Sequence, residues 1–215
     1  MQVSANEVYQ TARKACLAAG YLQDRAEDVA LASCWLHYAG FNGCGELERM
    51  LAAEMEENLT ARPQLHLHID NACLHITRLR PAYEGIAAID WMLASGNAAQ
   101  VRIDKILHPL MVAGLLWRAG LIYQQQFRLA ADGLSSAILL PDTAPGQLAE
   151  ISALSGGAVI QISPDISGQM HAPAGPFDVD EQIWQCLNKL AAQTYVPETE
   201  SSRLSGAGAG LVDND

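Results

Sequence analysis

The feature that most constrains this chain is a change of hydrophobic period at Pro63. Before it, apolar residues recur every three or four positions. After it, Leu65, Leu67 and Ile69 alternate with His66, His68 and Asp70, and Ala72, Leu74 and Ile76 alternate with Cys73, His75 and Thr77. The first pattern builds helices and the second a strand pair. With Asp70-Asn71 as the turn, one face pairs Ile69 with Ala72, Leu67 with Leu74 and Leu65 with Ile76. The other pairs His68 with Cys73 and His66 with His75. Helical and strand runs kept apart in this way predict an α+β fold.

Ser4-Ala-Asn-Glu7 and Asp24-Arg-Ala-Glu27 both have capping-box spacing, and Gly20 and Gly40 follow the two helices they open. Two helices joined by so short a link form an αα-hairpin. A third helix is expected from about Gly45 to Leu59, with Glu46, Glu48, Glu54, Glu56 and Glu57 on a solvated face and Leu47, Met50, Leu51 and Met55 turned inward. Beyond the β-hairpin, helices are expected over Tyr83–Ser95, Pro109–Tyr123 and Pro145–Leu154, with a last one capped by Asp178 or Asp180. Strands are expected over Ala99–Ile103, Gln126–Ala130, Ser136–Leu140 and Ala158–Ile162, giving a mixed sheet with packed helices. Residues 1–195 then form one α+β domain whose first 60 residues are helical, and 196–215 form an extended tail.

Composition removes several classes of function. A formal net charge of −11 sets repulsion against a nucleic-acid backbone or a polybasic membrane anchor. Five widely spaced cysteines without a CxxC read as reduced thiols. The longest apolar run, Leu110 to Trp117, is too short to span a bilayer, and the N-terminus lacks a signal-peptide pattern. The expectation is a cytoplasmic protein that binds neither nucleic acid nor membrane and acts on a small-molecule substrate.

Three groups of residues carry possible chemistry. The joint His37-Tyr-Ala-Gly-Phe-Asn-Gly-Cys-Gly-Glu46 sets Cys44 between glycines at a helix N-terminus, where the dipole favours a thiolate nucleophile. Asn42, Gly43 and Gly45 would bind the substrate there, and His108, opening the helix at Pro109, would be the acid/base partner. His66, His68, Cys73 and His75 share a hairpin face and form a candidate zinc or copper site. In the Gly-rich tail, Arg203 would bind a substrate carboxylate as a bidentate donor. No motif specifies a cofactor, and the glycines of the tail lack the flanking strand and helix of a phosphate loop.

The closing Thr194-Tyr-Val-Pro-Glu198, Ser202-Arg203 and Gly-Ala-Gly-Ala-Gly-Leu-Val-Asp-Asn-Asp resemble the ending of an uncharacterised bacterial family of unknown function. The first half also resembles the type 2 malate/L-lactate dehydrogenase family, which includes ureidoglycolate and diketogulonate reductases. That likeness lies in Val3 and the capped helices, Ala18-Ala-Gly20, Ala26–Ala32, Ala94-Ser-Gly96, Val101–His108 and Ala119-Gly-Leu-Ile122. It implies a homo-oligomer with a pocket between the Cys44 joint and His108. Gly43-Cys44-Gly45 stands where that family has Ser-His-Gly, and His108 matches its second active-site histidine. The leading expectation is a catabolic hydrolase, lyase or isomerase using Cys44 and His108. A reduced-size dehydrogenase relative binding NAD(P)H, and a non-catalytic subunit or binding protein, are the alternatives.

Overall fold

A computed structural model describes residues 1–57, 67–70, 72–96, 99–132, 134, 138–140, 145–154, 156–163 and 175–195. Strand β1 (Gln2–Val3) leads into helix α1 (Ala5–Ala18) through the expected capping box. The Ser4 hydroxyl accepts the Glu7 N–H, and the Glu7 carboxylate accepts the Ser4 N–H. Helix α2 (Gln23–Tyr38) departs from expectation: it starts before Asp24, and its N-cap, Leu22, offers no side-chain acceptor. Tyr21, just before that cap, is bound through its hydroxyl to Glu54.

Helix α3 (Gly43–Glu56) corrects the assignment of its faces. Glu54 was expected in solvent but is 8% exposed, whereas Met55, expected inside, is 45% exposed. The buried stripe runs Cys44, Leu47, Met50, Leu51, Glu54. Glu54 follows Leu51 by three and Leu47 by seven, which puts it at the centre of the stripe and Met55 on its edge.

The sheet comprises β2 (Leu67–Asp70), β3 (Cys73–Leu79), β4 (Gln100–Ile106), β5 (Gln126–Ala131), β6 (Ile138–Leu140) and β7 (Ala158–Ser163). Its order is β2-β3-β4-β7-β5-β6, with only the β3–β4 pair parallel. A parallel pair needs a crossover, supplied by a π-helical turn at Pro81–Gly85 and helix α4 (Ile86–Ser95). Helix α5 (Pro109–Tyr123) follows β4, α6 (Pro145–Ser152) follows β6, and β8 (Phe177–Asp178) pairs with β1 before α7 (Glu181–Ala191), capped by Asp180.

The β2–β3 hairpin has a different register from the expected one. Leu67 pairs with Ile76, His68 with His75, Ile69 with Leu74 and Asp70 with Cys73. Ala72, at φ 60, takes the left-handed turn position. The slip is two residues, so each side chain keeps the face the alternation assigned it.

Leu74, Ile76, Val101, Ile103, Phe127, Leu129, Ala158 and Ile160 bury one sheet face, in one core that is continuous with the helices. Helix α5 lies against α2 so closely that a Cβ at Gly114 would meet the Ala32 Cβ at 2.8 Å. Trp35 and Trp117 stack across the same contact at 5.4 Å. Among the described residues, no helix is long and apolar enough to cross a membrane.

Candidate functional site

The glycines of the Cys44 joint are required by close approach. A Cβ at Gly43 would sit 2.0 Å from the Ser33 carbonyl oxygen, and one at Gly45 would sit 2.6 Å from Asn42 Nδ2. The first turn of α3 uses its donors internally. Gly43 N–H donates to Phe41 O, Cys44 N–H to His37 Nε2 at 3.0 Å, Gly45 N–H to Asn42 Oδ1 at 2.9 Å and Glu46 N–H to Asn42 O. Asn42, Gly43 and Gly45 thus cap a helix, and none of these N–H groups is left over for a ligand.

Cys44 is completely buried. A helix N-terminus favours a nearby anion by about 0.3–1 kcal/mol, less than one pKa unit. Burial acts the other way and pushes the thiol up to about 12. Desolvation wins, and the thiol is protonated at neutral pH. Cys34, close enough to interact with it, is likewise pushed up to about 12 by burial. His37 stacks on Phe177 at 5.2 Å, and burial lowers its pKa to about 4, so a neutral ring accepts the Cys44 N–H. Sequence reasoning assigned His37 no role, although it opens the same ten-residue joint.

His108 lies elsewhere. The parallel strands β3 and β4 end side by side, with Arg78 opposite Lys105 and Leu79 opposite Ile106, and Leu107 N–H donates to Leu79 O at 3.0 Å. The chain then turns through His108 at φ 47, ψ 60, the left-handed region, before Pro109 opens α5. A non-glycine residue in that region stores strain of about 1–3 kcal/mol, as functional sites often do. His108 is half-buried, and its pKa is lowered first by burial, then by Arg49 and Arg78. The imidazole is therefore neutral near pH 7, within the electrostatic reach of two guanidinium groups. Arg49 pairs with Glu46 and Arg78 with Glu57, both near the protein surface. Such exposed pairs contribute about 0–1 kcal/mol each and can exchange for a ligand.

Cys44 and His108 therefore face different neighbours. Arg49 follows Cys44 by five residues, about 7.5 Å along the axis of α3, and no hydrogen bond joins Cys44 to His108 among the described residues. The other assigned groups are also separated. His68 and His75 face each other with ring centroids 6.2 Å apart, while Cys73 pairs with Asp70 because of the register. Among the described residues, no three His, Cys, Asp or Glu side chains are arranged to hold a metal. His66, from the expected set, and Arg203, with the rest of the tail 196–215, lie outside the described residues.

Behind the strand ends lies a polar cluster that the sequence reading did not single out. Arg80, the residue after β3, holds Glu84 by two guanidinium contacts and its own N–H, with both side chains buried. Arg25 and Arg80 each lie 5.0 Å from the ring centre of Tyr83, and Tyr21 meets that ring edge-on at 5.6 Å. The only available signal was local: Arg80 and Glu84 stand four apart across Pro81, as in a helical ion pair.

No curated protein matches this chain. Residues 3–100, which contain α1 to α4, the Cys44 joint and the Arg80–Glu84 turn but stop short of His108, match a family described as a protein of unknown function, DUF3726.

Proposed function

We propose that the chain is an enzyme acting on a small anionic molecule, such as a carboxylic acid, at the carboxyl ends of β3 and β4, with His108 as general acid/base. The observation that carries this reading is the left-handed backbone of His108 at the ends of β3 and β4, with a pKa lowered by burial and by the charges of Arg49 and Arg78. Open sheets bind ligands beyond the carboxyl ends of parallel strands, and a neutral imidazole near pH 7 can accept or return a proton. Arg78 and Lys105, neighbours on adjacent strands, would attract the anion on a chain whose net charge is −11. Cys44, buried and capped into α3, shapes the scaffold in this reading and does not attack the substrate.

The resemblance to type 2 malate/L-lactate dehydrogenases fits the same place, since His108 follows a strand there too. It supports the narrower reading that the reaction is a reduction with NAD(P)H. Arg203 in the tail would then add a second carboxylate contact.

The test is turnover and thermal stabilisation on a panel of 2-oxo and 2-hydroxy acids, with and without NAD(P)H. Loss of an acid/base residue costs about 10²–10⁴-fold, so His108→Ala should lower kcat by that factor while binding persists. Turnover that His108→Ala leaves unchanged would sink the assignment. Binding without turnover of any substrate would make this a binding protein.

A further inference from the structure

The buried cluster behind the strand ends contains a carboxyl group that nothing in the site above uses. Glu54 lies at the centre of the buried stripe of α3 and is 8% exposed. Its Oε2 accepts the Tyr21 hydroxyl at 2.5 Å, while its Oε1 is shielded from solvent and has no hydrogen-bond partner. A buried carboxylate oxygen without a donor is costly, and the cost falls on the charged form. The cation that acts on it, Arg80, is already committed to Glu84.

The groups facing Glu54 come from four elements. Cys16 of α1 and Tyr21 of the α1–α2 link act on it, as does Glu57, the residue that ends α3. Arg80, Tyr83 and Glu84 approach from the π-helical turn, and Arg25 of α2 covers the far face of Tyr83. Of these, Arg80 alone opposes several carboxyl groups: Glu84, Glu54 and Glu57. A guanidinium has five N–H donors, and the Glu84 carboxylate takes two. The segment it holds is a π-helical turn, a geometry found mostly as isolated irregularities at functional positions. Gly85 N–H and Tyr83 N–H both donate to Arg80 O, so the turn moves with Arg80.

We propose that Glu54 is a proton switch. Protonated, it rests against Tyr21 and leaves Arg80 to Glu84; ionised, it draws the Arg80 guanidinium toward its unpartnered oxygen and loosens the Pro81–Gly85 turn beside the strand ends. The device does not depend on what reaction occurs at His108. Burial, the largest influence on Glu54, raises its pKa above the ordinary 4.5, with Tyr21 and Arg80 opposing. A folded-state pKa above the unfolded value gives a contribution that is fully present below about pH 4.5 and is lost as pH rises through the folded value.

The experiment compares the wild type with Glu54→Gln and Tyr21→Phe between pH 4.5 and 9. It follows thermal midpoint and hydrogen exchange of the Tyr83, Gly85 and Ile86 amides, corrected for intrinsic base catalysis. In the wild type, these amides should lose protection at least tenfold as pH rises, in step with a falling midpoint. Glu54→Gln, permanently neutral, should keep the protection and lose the pH dependence. Tyr21→Phe removes a bond that favours the ionised form and should move the transition to higher pH. If Glu54→Gln does not fold, the carbon signal of the Glu54 carboxyl in the wild type reads the titration directly. An unchanged pH profile in Glu54→Gln, or a carboxyl that does not titrate above pH 4.5, would overturn the proposal.

Discussion

The Cys44 joint at the start of α3 and the strand ends at His108 solve opposite problems. At Cys44 the backbone donors are spent on Phe41, His37 and Asn42, the thiol is buried, and the half-buried imidazole is neutral. Near His108 the charged groups are half-exposed, held by pairs that water or an anion can replace, and the backbone itself is strained. Satisfied, dry groups make a rigid joint; strained and exchangeable ones make a place to bind. The difference shows that a cysteine at a helix N-terminus is only as reactive as its access to water permits.

Substitutions can break that contrast. The largest effect should come from Gly43→Ala, because a methyl group 2.0 Å from the Ser33 carbonyl forces α2 and α3 apart. Overpacking of this kind costs about 1–3 kcal/mol, here at the upper end because the obstacle is backbone, and urea denaturation would measure it. A loss below about 0.5 kcal/mol would mean that the joint yields easily.

Cys44→Ser and Cys44→Ala come next. A serine hydroxyl in this buried position should cost about 1–2 kcal/mol, and alanine less, with turnover unchanged in both once the fraction folded is allowed for. In the native protein a small alkylating agent should modify the exposed Cys186 and spare Cys44. Rapid modification of Cys44 near pH 7, or complete loss of turnover in a folded Cys44→Ala, would reinstate the thiol as nucleophile.

The smallest stability effect should be at the strand ends. Arg78→Ala removes an exposed pair worth about 0–1 kcal/mol, so the unfolding midpoint should hardly move. Removing that cation should nevertheless raise the pKa of His108, which Arg78 helps to lower. A histidine ring-proton titration reads this directly. If the His108 titration is the same in the variant, the guanidinium does not act on the ring and the strand-end site loses its electrostatic basis.

Much of the architecture was legible residue by residue. The Ser4–Glu7 box starts α1, Asp180 caps α7, and α5 runs from Pro109 to Tyr123 as its pattern predicts. Such signals are local, carried by groups within about one helical turn of each other. The errors lie where a distant partner decided. Helix α2 starts before Asp24, after Tyr21, which is bound to Glu54 thirty-three positions away. The hairpin register slipped by two because alternation sets the face of each residue but not which rung it occupies. Glu54 was read as solvated because a glutamate is usually outside, and only its partner shows why this one is not.

By itself, then, the sequence determined the α+β class, the approximate positions of the α-helices and of the strands of the main sheet, the acidic character of the chain and the unusual joint at Cys44, all of which follow from short-range propensity, periodicity and composition. Only the tertiary structure decided that β3 and β4 lie parallel, that Arg49 and Arg78 and not Cys44 set the electrostatics of His108, and that the Cys44 thiol is dry. Burial and charge environment are sums over residues far apart in the chain, and no local pattern contains them.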